Sequence, residues 1–175
     1  GEIPEEWEKP ENKSKLAQKD IDADWTKKNG ERHFGYKDHV KCDADSKLIT
    51  NYSVTSASVH DSQRCLVFIG QEDEVLYADS AYSGKPIALA LPENCKNQIC
   101  EKGYRNSPLT SEQKMNNRRK SRIRCRIEQI FGFMTGAMHG ITIRSIGITR
   151  AWMNIGITNL VYNFCRYSYL KRASA

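Results

Sequence analysis

The stretch EVLYADSAYSGKPIALALPENCKNQICEK, residues 74–102, holds two short apolar runs on either side of a segment of helix-forming residues. EVLYAD has the length and the apolar character of a buried central strand, and it ends at Asp79. KPIALALPEN predicts a crossover helix, and NQICEK predicts another strand. A strand, a crossover helix and a second strand in succession are typical of an α/β fold.

The segments before this stretch predict further elements. Residues 1–30 are polar and charged and predict a loop or extended arm. Residues 33–42 and 48–55 alternate enough to predict an antiparallel hairpin. A short apolar helix is then expected to begin at Asp61 or Ser62.

The C-terminal part predicts two longer helices. Residues 103–117 look like a basic loop, and a helix is expected at about Lys120 to Met134. Thr149 is expected to cap the final helix. The aromatic side chains of that helix are expected to lie in the core, and its broad apolar face is expected to consist of Trp152, Ile155, Leu160, Val161 and Phe164.

Charge is distributed unevenly along the 175 residues. Residues 1–100 hold 13 Lys and Arg against 18 Asp and Glu, whereas residues 101–175 hold 14 against 3. This asymmetry indicates a polyanionic partner that binds mainly to the C-terminal half. No apolar run is long enough for a membrane span, and the six cysteines show no zinc-binding spacing. We therefore expect reduced thiols in a cytoplasmic protein.

The segment RRKSRIRCRIEQIFGFM, residues 118–134, carries a single carboxylate, Glu128, behind six cations. In a helix, Glu128 lies at the edge of an apolar stripe that packs inward, formed by Ile123, Ile127, Ile130, Phe131 and Met134. Arg124 lies four residues before Glu128 and can reach it. Arg122 and Arg126 project elsewhere and are expected to be free for other anions.

Asp79 and Glu128 are the candidate catalytic and metal-binding residues. The C-terminal end of a strand in an α/β sheet borders the crevice in which ligands bind, which favours Asp79. If the helix that carries Glu128 packs across that end, the two carboxylates meet and need a cation between them. Oxygen ligands suit Mg²⁺ or Mn²⁺, and two such ions about 3.5–4 Å apart promote phosphodiester displacement. The cations expected to bind nucleic-acid phosphates are Arg118, Arg119, Lys120, Arg122 and Arg126.

Purely structural roles remain open for the same residues. Asp79 can be an ordinary turn or cap residue. Glu128 can form a surface ion pair with Arg124 that is worth about 0.3–0.5 kcal/mol. His60 and Asp61 fit the start of a helix better than they fit catalysis.

Four blocks of sequence occur in a characteristic order: WTKKNGERHFGYKDHVKCDADSKLI, VTSASVHDSQ, LYADSAYSG and NRRKSRIRCRIEQIFG. Together they resemble the catalytic domain of bacterial insertion-sequence DDE transposases, of the group related to insertion sequence five. The resemblance covers the chain from about Trp25 to the last helix. It implies an α/β, ribonuclease-H-like fold, a mixed sheet flanked by helices. In that fold three antiparallel strands, a helix and a fourth strand precede the helix that bears the glutamate.

The resemblance also implies a domain division and a set of site residues. Residues 1–30 would be a polar arm or insertion, and residues 31–175 the C-terminal portion of the catalytic domain. Asp79 in YADSAY is similar to the family's second catalytic aspartate, and Glu128 in RCRIEQIFG is similar to its catalytic glutamate. Arg124 matches an arginine that the family links to the active site and to DNA.

The chain departs from the family pattern in two places. The block that carries the first catalytic aspartate is absent, and Asp22 lies too close to the WTKKNG block to replace it. We therefore expect that the first strand of the fold is missing and that this aspartate lies upstream of Gly1. Ser121 and Thr135 stand where the wider superfamily has a tyrosine and a lysine. The HD pair at residues 60–61 matches a family block whose role stays open.

The resulting prediction is a transposase that uses Mg²⁺ or Mn²⁺ to hydrolyse phosphodiesters at insertion-sequence ends and to transfer the strands to target DNA. The intact protein is expected to act as a homo-oligomer on double-stranded DNA, in the bacterial cytoplasm at the nucleoid, and this fragment alone is expected to be inactive. The alternatives are an inactive DNA-binding remnant and a host ribonuclease-H-like nuclease acting on RNA or RNA:DNA hybrids. A purely structural partner-binding module explains the basic C-terminal half poorly.

Overall fold

Helices and strands are both present in the computed structural model, which describes residues 3–28, 30–140 and 142–174. The mixed α/β class predicted from the sequence is confirmed. The strands are β1 (Asp24–Lys28), β2 (Glu31–Cys42), β3 (Ile49–Ser56), β4 (Val75–Leu76) and β5 (Lys96–Asn97). The α-helices are α1 (Lys13–Ala17), α2 (Ser62–Phe68), α3 (Lys85–Ala90), α4 (Ser111–Arg124), α5 (Arg126–Gly136) and α6 (Ile148–Ala173). Three short 3₁₀ turns lie at Glu5–Trp7, Pro10–Asn12 and Ser80–Tyr82.

The chain divides into two compact units. The first contains the chain through Val40, the segment Tyr52–Val59 and the chain from Met134 onward. The second contains Lys41–Asn51 and His60–Phe133. The sequence predicts a domain boundary at residue 30. The two compact units do not test that boundary, so it stays a prediction.

A three-stranded sheet has the order β1-β2-β3. The predicted hairpin is confirmed, because β2 and β3 are neighbours joined by the turn in which Asp43 N–H donates to the Leu48 carbonyl (2.9 Å). The loop predicted for residues 1–30 is wrong over β1, which pairs antiparallel with the first half of β2. DWTKK has no apolar alternation of its own, so its strand conformation depends on this pairing.

Two acidic residues of the N-terminal segment cap helix α6 in the first unit. Asp20 Oδ2 accepts from Gly147 N–H (3.2 Å), and Asp22 Oδ2 accepts from Ile148 N–H (3.0 Å). The predicted cap by Thr149 is wrong, because the helix begins at Ile148 and these carboxylates satisfy its first donors. Burial opposes ionisation of Asp20, but hydrogen bonds led by that from Tyr36 lower its pKa.

Helix α6 buries one narrow face. Its buried residues are Ala151, Ile155, Asn159 and Tyr162, which recur at intervals of three and four. The expectation that the aromatic side chains of this helix lie in the core is confirmed for Tyr162 and wrong for the others that are exposed, and of the predicted apolar face only Ile155 is buried. The exposed apolar and aromatic side chains of the helix are Trp152, Met153, Ile157, Leu160, Val161, Phe164, Tyr167 and Tyr169. The helix carries more apolar side chains than one buried face can hold.

A buried carboxylate lies beside α6. Asn159 Nδ2 donates to Asp38 Oδ1 (3.3 Å), but Asp38 Oδ2 and Asn159 Oδ1 are buried without a partner. Burial raises the pKa of Asp38 to about 6, against the lowering effect of the Asn159 hydrogen bond. An unpaired buried oxygen costs about 1–3 kcal/mol, so this pair is a weak point of the first unit.

The variant Asp38→Asn is expected to stabilise the protein by about 1–3 kcal/mol at pH 8, where the wild-type carboxylate is ionised. A folded-state pKa above the unfolded value means that the folded protein binds the extra proton, so wild-type stability falls as pH rises from about 4 to about 6. The asparagine amide removes this pH dependence and can donate to Asn159. Denaturant unfolding of both proteins at pH 4 and pH 8 measures the difference in their free energies of unfolding. Equal stability of the variant and the wild type at pH 8 would contradict the prediction.

The second unit contains the predicted strand–helix–strand. β4 and β5 pair in parallel, with Val75 opposite Lys96. The ladder extends beyond both strands, because Lys96, Gln98 and Cys100 N–H groups donate in turn to the carbonyls of Glu74, Leu76 and Ala78 (2.8–3.0 Å). Helix α3 is the predicted crossover. The core of this region is formed by Cys65, Ile87 and Ile99, with Ile69, Leu76, Ala78 and Tyr82 packed against them.

The helix predicted at about residues 120–134 is longer and is divided. It begins at Ser111, where Thr110 Oγ1 and the Gln113 side chain form a capping box, so much of the predicted basic loop is helical. Cys125, with ψ of −7°, separates α4 from α5. The inward stripe is confirmed, because Ile130 and Met134 are fully buried.

All six cysteines are free, and Cys65, Cys95 and Cys100 are buried. Within the residues that the structure describes, no helix has the length and apolar character needed to cross a membrane.

Candidate functional site

Asp79 lies at the C-terminal end of the parallel ladder, as the sequence predicts. It follows Ala78, whose carbonyl accepts from Cys100 N–H (3.0 Å). Its side chain is exposed and accepts a hydrogen bond from Ser80 N–H, which begins the 3₁₀ turn. The cap role left open by the sequence is therefore confirmed for one carboxylate oxygen, and no ion pair or hydrogen bond from another described residue engages the second oxygen.

Asp61 shares the surroundings of Asp79. Burial, followed by the negative charges of Asp61, Cys65 and Asp79, raises the pKa of Tyr82 to about 12. Asp61 is also the residue before the first turn of α2, the N-cap position predicted for it. That Asp61 lies near Asp79 was not predicted from the sequence. The one indication in the sequence is that the HD pair at residues 60–61 stands just before helix α2, and that β4 is the next element after α2.

Glu128 is an exposed carboxylate in the first turn of α5. Arg124 Nη2 lies 2.8 Å from Glu128 Oε1, four residues away, and the side chain of Glu128 is 62% exposed. The ion pair predicted from the spacing is confirmed. It leaves the second carboxylate oxygen of Glu128 without an ion-pair or hydrogen-bond partner within the described chain.

The six cations of residues 118–126 divide into two groups. Arg118, Arg119 and Arg122 are exposed, and no ion pair or hydrogen bond to another described side chain engages their guanidinium groups. Because they are spaced by one, three and four residues on α4, they form one surface, which we name the arginine patch.

The other three cations have partners within the second unit. Lys120 donates to the Ile99 carbonyl (3.0 Å), and its side chain is only 17% exposed. Arg124 binds Glu128, and Arg126 Nη1 lies 3.4 Å from Asp45 Oδ1. The expectation that Arg126 is free for other anions is therefore wrong, because the turn between β2 and β3 supplies an acid.

Helix α4 is fastened to the end of the β4–β5 ladder by Asn117. The Asn117 amide accepts from Glu101 N–H and donates to the Glu101 carbonyl, both at 2.9 Å. The side chain thus pairs with the backbone of Glu101 as a neighbouring strand would. Lys120 adds its hydrogen bond at Ile99, so the arginine patch has a fixed position relative to the ladder that ends at Asp79.

The variant Asn117→Ala is expected to lower the free energy of unfolding by about 1–3 kcal/mol, because it leaves two partly buried backbone groups without partners. Asn116→Ala is the matched control, since the same change one residue earlier removes neither of these hydrogen bonds. Denaturant unfolding of both variants measures the difference. A loss no greater for Asn117→Ala than for Asn116→Ala would contradict the role of this amide.

The two predicted catalytic carboxylates have different neighbours. Asp79 pairs with Ser80 at the end of the ladder. Helix α5, which carries Glu128, is held to the turn between β2 and β3, where Lys47 Nζ donates to Gln129 Oε1 (2.6 Å). Asp79 and Glu128 thus share no ion-pair or hydrogen-bond partner within the described chain. Their predicted shared site stays a prediction.

The described residues offer suitable donor atoms for the metal ion that the resemblance implies, but they do not form a complete set of metal ligands. Within residues 3–28, 30–140 and 142–174, no group of three or more His, Cys, Asp or Glu side chains is placed to hold a metal ion. Mg²⁺ is commonly held by one or two carboxylates together with substrate phosphates. Asp79 and Glu128 are exposed carboxylates, which are ligands of the type that such a metal takes.

Comparison with known proteins defines the family. The family model described as "Transposase DDE domain" matches residues 6–164. The chain therefore belongs to the transposase DDE domain family, and its resemblance to bacterial insertion-sequence DDE transposases is confirmed. The assignment to the group of insertion sequence five stays a prediction.

A curated relative supports the same family. The chain is 34% identical over 117 residues to the transposase for insertion sequence element IS1106 of Neisseria meningitidis serogroup B. The alignment covers 65% of this chain and 40% of that relative, so the chain spans well under half of the relative's length. No solved structure matches the chain.

Proposed function

We propose that the chain is the catalytic part of a DNA transposase, which cuts and joins phosphodiesters at insertion-sequence ends with the help of Mg²⁺ or Mn²⁺. The observation that carries the proposal is the family match over residues 6–164, which includes Asp79, Glu128 and the arginine patch. The proposed fold is ribonuclease-H-like. With the first strand of that fold expected upstream, the order β2, β3, α2, β4 and the later glutamate-bearing helix α5 is consistent with this proposal.

The arginine patch is the proposed binding surface for duplex DNA. Its three exposed guanidinium groups, which have no acidic partner among the described residues, neutralise phosphates and hold the backbone without reading bases. Lys120, Arg124 and Arg126 were also assigned to DNA from the sequence. Their internal partners favour a supporting role, in which they hold the helices that present the patch.

Asp79 and Glu128 are the proposed catalytic carboxylates and metal ligands. Arg124 holds Glu128 in one orientation through the 2.8 Å ion pair, and Ser80 N–H does the same for Asp79. A bound divalent ion supplies polarisation of the phosphoryl oxygens and a more acidic bound water. The carboxylates of this chain provide the oxygen ligands, and the arginine patch places the phosphates.

The proposed partners follow from this activity. The DNA substrates are the ends of the element and the target duplex, and paired ends favour a homo-oligomer. Because the substrate is chromosomal DNA, the proposed location is the bacterial cytoplasm at the nucleoid.

The second candidate function is a DNA-binding remnant without catalysis. The observation that favours it is the lack of a three-ligand metal group among the described residues. The experiment that separates the two incubates the full-length gene product with Mg²⁺ and DNA carrying the element's terminal inverted repeats. Strand transfer supports the transposase, binding without cleavage supports the remnant, and hydrolysis without strand transfer supports a host nuclease.

A further inference from the structure

One face of the β1–β2 hairpin, in the first unit, combines aromatic and cationic side chains. In the antiparallel register, Trp25 lies opposite Phe34 and Lys27 lies opposite Arg32. Directly opposed residues share a face of a sheet, and so do residues two apart along one strand. Trp25, Lys27, Arg32 and Phe34 therefore lie on the same face, which we name the hairpin face.

The two aromatic rings of the hairpin face are open to solvent. Trp25 is 59% exposed and Phe34 is 49% exposed, and their ring centroids lie 5.2 Å apart at an interplanar angle of 53°. Trp25, Thr26, Lys27 and Arg32 line an open groove of about 350 Å³. An exposed aromatic side chain that borders a groove, as Trp25 does, with a second exposed ring beside it is typical of surfaces that bind another molecule.

The charge of the hairpin face is positive. Lys27 and Arg32 are both exposed, and neither forms an ion pair within the described residues. The nearby acids Asp24 and Glu31 alternate with these positions along their strands, so they lie on the opposite face. The hairpin face thus presents two aromatic rings beside two cations and no carboxylate of its own.

We propose that the hairpin face binds unpaired nucleotides of single-stranded DNA. Bases stack on Trp25 and Phe34 while the adjacent phosphates bind Lys27 and Arg32, which is the combination of aromatic platform and cationic groove that single-strand binding requires. The choice of DNA as the polymer rests on the proposed function. The hairpin face belongs to the first unit, whereas the arginine patch and the two carboxylates belong to the second.

The test measures binding of fluorescein-labelled oligo(dT) to the 175-residue chain by fluorescence anisotropy. Trp25→Ala is expected to weaken binding about tenfold, the scale of one lost base–aromatic stack. Trp25→Phe keeps a ring at this position and is expected to restore most of the affinity. Circular dichroism of each variant checks that the fold is unchanged.

The salt dependence of oligo(dT) binding is a second measurement, and a purely structural role of Lys27 would leave it unchanged. Lys27→Ala is expected to reduce the slope of log affinity against log salt by about 0.7, the contribution of one phosphate contact on a single strand. Lys28→Ala is the matched control, because it removes the same charge from the neighbouring position, which lies on the opposite face. It is expected to leave the slope near that of the wild type.

Three results would overturn the inference: no binding of oligo(dT) by the wild type, wild-type affinity in Trp25→Ala together with a wild-type slope in Lys27→Ala, or a preference for oligo(U) over oligo(dT). The inference and the proposed function fail separately. If the variants lose oligo(dT) binding and the full-length product shows no strand transfer, the inference about the hairpin face stands and the transposase proposal is rejected. If the full-length product shows strand transfer and both variants bind oligo(dT) as the wild type does, the transposase proposal stands and the inference about the hairpin face is rejected.

Discussion

Glu128→Gln and Asp79→Asn are each expected to lower the rate of Mg²⁺-dependent DNA cleavage by the full-length gene product at least about 100-fold. That is the scale on which removing a single electrostatic contact to the reacting groups lowers kcat. Both changes keep the size of the side chain and remove the negative charge that a divalent cation requires. Both residues are exposed, so the changes are expected to leave the free energy of unfolding nearly unchanged.

A double variant makes the test of these carboxylates sharper. If Asp79 and Glu128 serve one reaction centre, combining the two substitutions costs little beyond either alone, since groups that act as a unit are not additive. Glu112→Gln is the matched control, because Glu112 is an exposed glutamate in the first turn of α4. Cleavage at the wild-type rate by either carboxylate variant would exclude that residue from the centre.

The second large effect is expected from removing the arginine patch. Replacing Arg118, Arg119 and Arg122 with alanine is expected to reduce the salt slope of duplex DNA binding by about 2.7, which corresponds to three lost phosphate contacts. The loss of affinity should be nearly the same for every DNA sequence, because phosphate contacts carry no base information. Binding measured by anisotropy at several salt concentrations gives the slope and the sequence dependence together.

A charge-matched variant controls for the general effect of a less basic chain. Arg150, Lys171 and Arg172 are exposed on α6, in the other unit, and replacing them with alanine removes the same total charge. We expect the slope of this variant to stay closer to the wild-type value. Equal losses in the two triple variants would show that net charge, and not the arginine patch, governs DNA binding.

Local patterns in the sequence were enough to predict several features of the second unit. The strand that ends at Asp79, the crossover helix α3 and the ion pair between Arg124 and Glu128 all depend on residues close together in the chain. Short apolar runs and spacings of four residues encode such features directly. The hairpin of β2 and β3 is local in the same sense.

Features made by distant residues could not be predicted in this way. The caps of α6 come from Asp20 and Asp22, more than a hundred residues earlier, and a capping signal is sought only beside the helix. β1 takes its conformation from pairing with β2 rather than from its own residues.

The charged residues of the candidate site illustrate the same limit. The composition of residues 118–126 shows a run of six cations. It does not show that Lys120 donates to the Ile99 carbonyl or that Arg126 forms an ion pair with Asp45, since those partners lie elsewhere in the chain. The sequence therefore did not show which of the six cations already have partners within the second unit. It also predicted a burial of α6 aromatics that depends on how much of the helix surface the rest of the unit covers.

The claim that Asp79 and Glu128 share a metal ion is tested most directly by titrating Mn²⁺ into the isotopically labelled 175-residue chain with duplex DNA present, and recording backbone amide signals. A bound paramagnetic ion broadens the signals of the residues nearest to it. We predict that the amides flanking Asp79 and those flanking Glu128 lose intensity at the same Mn²⁺ concentration, and that Glu128→Gln abolishes the loss at both places. Broadening at only one carboxylate, or at neither, would contradict the shared site.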